Sequence, residues 1–193
     1  MSEITSDLKA YKAAEGFAKL ALSATSEIIS VNSERIKSQF ALAEVYFKQG
    51  AFEKAYAEFE KVRDAVQSSE FFSAALLIRF YGDFAFTCDK LKKYTEGVPL
   101  LKRALAIALG EDYATVSFEE LNARAERAMK IYAGVNVCRI FFYAMRFCIH
   151  AGDRNNATIF YLLLCDNKRY LDDEAEKLLA GFREKFFDDL PEA

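Results

Sequence analysis

The chain has 193 residues, 52% of them hydrophobic and 28% charged, with a net charge of −3. That balance fits a chain that buries a sizeable core and excludes intrinsic disorder. The charges are interspersed with no basic stripe to follow a phosphate backbone, so no nucleic-acid partner is expected.

The opening MSEITSDLKA is polar and carries Glu3 and Asp7, unlike a signal peptide. The longest uncharged runs, such as Asn155 to Cys165, fall far short of the roughly 20 residues that span a bilayer. No membrane role and a cytoplasmic location are therefore expected. With 2 Pro and 8 Gly there is no flexible linker, and scarce breakers favour helices over short strands. A single domain over 1–193 is expected.

A first helix is predicted over about 5–30, with Leu8, Tyr11, Ala14, Phe17, Ala18 and Ala21 at helical spacing. Asn32 or Ser33 caps the next helix, which runs to about Lys48 and pairs with one from Phe52 to about Val66. In AEVYFKQGAFEKAYAEFEKV, Tyr46 lies four residues before Gly50, Ala55 five after it, and Phe59 four beyond Ala55. Ala43, Tyr46, Phe52, Ala55, Phe59 and Val62 recur as Ala85, Cys88, Tyr94, Gly97, Leu101 and Ala104, each shifted by 42 residues. A capping box, Ser117-Phe118-Glu119-Glu120, opens a further helix over about 117–133 that Gly134 closes. A third pair follows, with Cys148, a Gly152 C-cap, Ala157 and Tyr161 in the same phase. A terminal amphipathic helix over about 171–188, capped by Asp172 or Asp173, completes the chain. The pairs span about 36–69, 78–111 and 138–171.

Small residue, aromatic, Gly, aromatic, Ala, aromatic across 43–62 resembles the tetratricopeptide repeat, a helix–turn–helix unit of about 34 residues. The stretch Tyr94-Thr95-Glu96-Gly97-Val98-Pro99-Leu100-Leu101, with the Leu109-Gly110-Glu111-Asp112 exit, resembles the repeats of kinesin light chains. Pro99 is placed in a first helical turn, where no N–H is missed. The resemblance implies an all-α fold, an α-solenoid of helix–turn–helix repeats with capping helices. It also implies that signature residues pack: Tyr46, Ala55, Phe59, Cys88, Gly97, Leu101, Cys148, Ala157 and Tyr161.

Counting out from the repeat, the inner faces of the first helices carry candidate partner-binding residues. These are Lys37, Phe40, Glu44, Phe47 and Lys48, then Arg79, Asp83, Phe86 and Lys90, then Arg139, Phe142, Tyr143 and Arg146. Gly82, Ile149 and His150 fall on the same faces. Large aromatics beside basic groups suit an extended or helical peptide, and the kinesin-light-chain resemblance implies cargo-like acidic-aromatic segments. The other reading has neighbouring helices cover these faces as core. Repeat domains that clamp a chaperone's C-terminal carboxylate use Lys, Asn and Arg at positions held here by Phe40, Glu44, Asp83, Arg139 and Tyr143. Glu44 and Asp83 repel a carboxylate, which argues against that role.

Four cysteines form no CxxC pair and read as buried thiols. His150 has no nucleophile or carboxylate at motif spacing, and no phosphate loop, HExxH or GxSxG occurs. No catalytic residue, metal or cofactor is expected, and the chain reads as a non-catalytic protein-interaction adaptor. The alternative is a structural subunit or homo-oligomer that uses outer faces or the terminal helix, where Phe182, Phe186 and Phe187 cluster.

Overall fold

The computed structural model describes residues 2–26, 32–67, 72–132 and 134–190. Among them are nine α-helices and no strand: α1 Ser2–Ser26, α2 Asn32–Lys48, α3 Phe52–Gln67, α4 Ala74–Lys90, α5 Tyr94–Leu109, α6 Phe118–Ile131, α7 Gly134–His150, α8 Arg154–Asp166 and α9 Asp173–Phe186. A single 3-10 turn, Lys168–Tyr170, precedes α9. The fold is an all-α helical repeat. The side chains of Asn32 and Ser33, predicted as caps, lie outside the described residues.

Three turns carry the repeat. Each ends a helix with a residue in the left-handed region: Gly50 at φ 70°, Lys92 at φ 60° and Gly152 at φ 72°. At each, the following N–H reaches back five residues: Ala51 to the Tyr46 carbonyl, Lys93 to Cys88 and Asp153 to Cys148, at 2.8–2.9 Å. A second bond, from Gly50 to Phe47, Lys92 to Asp89 and Gly152 to Ile149, completes the same double-bonded C-cap. The hydrogen bonds thus put 46, 88 and 148 in one phase, as the sequence spacing predicts. The middle turn reaches that geometry without glycine.

The chain divides into two compact units. The first holds residues 1–72 and 86–93, the second 73–85 and 94–193, so α4 contributes to both. In the first unit, α2 packs against α1 and α3. Ala43 and Ala55 are fully buried, and the Phe40 and Phe59 rings meet at 6.1 Å beside them. The Tyr46 hydroxyl donates to Glu15 at 3.1 Å, and burial pushes that phenol's pKa up. The predicted α1 stripe is only partly used: Ala18 is buried, while Phe17 is 73% exposed.

In the second unit, α7 lies among α5, α6 and α8. Phe80, Phe84, Phe141, Met145, Leu163 and Leu164 are buried there. Asn167, also buried, donates to the Leu163 carbonyl and to Asn122, so its polar group is satisfied. Phe187 stacks on Tyr161 at 4.6 Å and is 1% exposed. Burying a ring of that size contributes about 2 kcal/mol.

Ser117 caps α6 by accepting from the Glu120 N–H at 3.3 Å. The Glu120 carboxylate bonds Arg124 (2.5 Å). Arg124 also bonds Asp112 at 2.5 Å and the Leu109 carbonyl at 3.0 Å, tying the α5 exit to α6. Asp172 caps α9, as expected.

Two expectations are corrected. Gly134 opens α7 rather than closing α6, whose C-cap is Tyr132. Pro99 lies inside α5 beyond its first turn, where it is exposed and supplies no N–H to the Thr95 carbonyl.

Candidate interaction surfaces

The predicted core residues of the repeat are buried apart from Cys148, which is half-buried. All four cysteines are free thiols. Burial pushes Cys138 up to about 12 and Cys148 up to about 11, which keeps both neutral and unreactive at neutral pH. Cys148 borders an apolar cavity of about 430 Å³ with Leu105, Tyr113, Phe118 and Phe147.

The thirteen predicted binding residues are divided between the two units. In the first unit, Phe47 and Phe86 meet edge to face at 5.7 Å, and Phe52 joins both at 6.2 and 6.3 Å. All three rings are half-buried. Lys90, exposed, sits 4.9 Å over the Phe86 ring, a cation–π contact. Lys48 is exposed and Glu44 half-buried. Lys37 is exposed but bonded to Glu34 at 2.8 Å on its own helix. Phe40 differs from expectation: it is 3% exposed against Phe59 and belongs to the core. Sequence counting missed Phe52, because the turn folds its ring back onto the helix before it.

In the second unit, Asp83 is 3% exposed, pairs with Arg139 at 3.7 Å and hydrogen-bonds Tyr143. Burial, with the Asp83 charge beside it, drives the Tyr143 phenol's pKa well above its ordinary value. A buried carboxylate needs such partners, so this cluster is internal structure. Tyr143 and Phe142 are buried, the latter with its ring 6.3 Å from Phe182. Asp83, Phe142 and Tyr143 are thus corrected from binding surface to interior. Gly82, also read as inner face, is buried where α4 meets Ile140 of α7. Arg79 is half-buried.

Arg146 has another setting. With His150 from α7 and Lys177 and Lys185 from α9 it lines a cleft of about 350 Å³. Leu178, Phe182 and Phe186 supply its apolar surface, and Leu178 is 51% exposed. His150 also lies 5.5 Å from the Tyr94 ring. The signal for the α9 side was present as two adjacent i, i+4 rows, 177/181/185 and 178/182/186.

Among the described residues no group of His, Cys, Asp and Glu could hold a metal ion, and no helix is long and apolar enough to cross a membrane. Residues 7–104 match the family described as anaphase-promoting complex, cyclosome, subunit 3, a tetratricopeptide-type repeat family. The chain belongs to this family. No curated protein and no solved structure matched it. For a subunit-3-family chain the match takes in the first two turns, at Gly50 and Lys92, and stops before the third. The third pair, α7 and α8, therefore rests on its Gly152 turn and buried Ala157 and Tyr161. Membership in such a repeat family points to protein–protein interaction or assembly.

Proposed function

We propose that the chain is a non-catalytic, cytoplasmic adaptor that binds a segment of a partner protein. The observation that carries this reading is the half-buried Phe47–Phe52–Phe86 cluster flanked by exposed Lys48 and Lys90, inside the span that matches the family. Three rings that pack on one another while keeping a wet edge offer rigid apolar area at little entropic cost. The lysines set the polarity of what is accepted. The test is titration of peptides selected from a displayed library of random 12-residue sequences on the full chain. A Phe47→Ala/Phe86→Ala variant, with its fold checked by circular dichroism, should bind at least about thirtyfold more weakly, the loss of a hot spot of about 2 kcal/mol. A variant that folds and binds as the wild type does overturns the reading.

A second reading, a structural subunit of an assembly, is favoured by Phe17 and Leu20 on α1, 73% and 66% exposed. The terminal-helix patch first considered for it loses Phe187 to the core.

A further inference from the structure

We infer that the α7–α9 cleft of the second unit is a separate docking site for an acidic peptide carrying one or two large apolar side chains. The site lies outside the matched span and outside the ring cluster of the first unit. Four nitrogen bases or cations line it: Arg146 and His150 at the end of α7, and Lys177 and Lys185 on α9. No Asp or Glu lines it; the four acids of α9, Asp173, Glu174, Glu176 and Glu184, are absent from its lining.

This sign is opposite to that of the whole chain, which carries −3. A cationic pocket on an anionic protein selects for acidic segments over basic ones and steers them on approach. The floor sets the second half of the specificity. Leu178 is half exposed, and the Phe182 and Phe186 rings lie 5.9 Å apart beside it. Lys185 holds its ammonium 5.2 Å over the Phe186 ring, so the charge sits at the apolar edge. A ligand therefore places an apolar side chain on Leu178 and Phe182 while its carboxylates meet the lysines and Arg146.

The chemistry of the ligand rests on the protein-binding reading, and the test separates the two. Random 12-residue displayed peptides are selected on the full-length wild type, then counter-screened on two variants of confirmed fold. Lys177→Glu/Lys185→Glu changes only exposed side chains on α9, and Phe47→Ala/Phe86→Ala changes the other cluster. The inference expects peptides rich in Asp and Glu around Phe, Leu or Ile. Their fluorescein-labelled forms should bind the charge-reversed variant at least tenfold more weakly and lose affinity as salt rises. Peptides that are lost only on the Phe47/Phe86 variant overturn the cleft and leave the adaptor reading standing. Peptides without acidic enrichment that bind the charge-reversed variant unchanged also overturn it. No enrichment on the wild type overturns both.

Discussion

Replacing Gly82 with alanine tests how tightly α4 and α7 meet. A Cβ at this position would lie 2.7 Å from Ile140 Cγ2, with the Tyr143 ring next at 3.9 Å. Carbon atoms settle at about 3.5–4.0 Å, so the helices must part by close to 1 Å or Ile140 must leave its rotamer. Ile140 is 1% exposed and has nowhere open to go. Overpacking of this kind costs about 1–3 kcal/mol, against about 1 kcal/mol gained by removing glycine from a helix interior. The expected net loss is up to about 2 kcal/mol, or a melting temperature lower by up to about 8 °C at this chain length. Urea or thermal unfolding followed at 222 nm measures it. Gly181→Ala, where a Cβ meets nothing within 4 Å, is the control and should stabilise α9. Ile140→Ala alone costs about 2–5 kcal/mol, but the new methyl partly fills that space in the double variant. The two changes should therefore couple by about 1 kcal/mol or more. A stabilising Gly82→Ala, or strict additivity with Ile140→Ala, refutes the close approach.

Lys92 holds the left-handed turn conformation that costs a side-chain-bearing residue about 1–2 kcal/mol, so Lys92→Gly should stabilise the protein by up to about 1 kcal/mol. Gly152→Ala, with no atom near its Cβ, should destabilise by a similar amount through conformation alone, read as opposite shifts in urea midpoint. Native iodoacetamide labelling at pH 8 should leave Cys138 and Cys148 unmodified by mass spectrometry, because raised pKa values keep them protonated. For Cys148, the rise from 9.0 to about 11 makes its thiolate about a hundredfold scarcer than an ordinary thiol's. Labelling of either at the rate seen in urea would show that its burial is wrong.

The helix pairs were legible because their signature is a packing requirement. A small residue at 55, 97 and 157 and a glycine or its stand-in after each first helix recur wherever two helices close on a short turn. Boundaries failed where one residue serves two purposes. Gly134 reads as a stop, yet its freedom of backbone suits the start of α7 equally well. The binding face was only partly legible. Repeat phase assigns Phe40, Asp83, Phe142 and Tyr143 to the inner faces of first helices, but phase does not say which neighbouring helix lies over them. Asp83 and Tyr143 satisfy one another in the interior, and Phe142 is met by Phe182 some 40 residues later. Only long-range packing decides that. The cleft was missed because half of it comes from α9, which carries no repeat signature.

Arg124 gives the second unit a mechanical property. Its one guanidinium grips the last carbonyl of α5, the Asp112 carboxylate in the connecting loop and Glu120 in the first turn of α6. The corner between the two helices is thus riveted: bending it open breaks the bonds to Asp112 and to the Leu109 carbonyl, while Glu120, one turn away on α6, holds the guanidinium in place. The link to Asp112 is ionic and lies near water, within reach of dissolved ions that screen charge over about 8 Å. Concentrated salt softens that strand of the rivet and leaves the other, to the Leu109 carbonyl, intact. The stiffness of this corner thereby falls in part as the ionic strength around the protein rises.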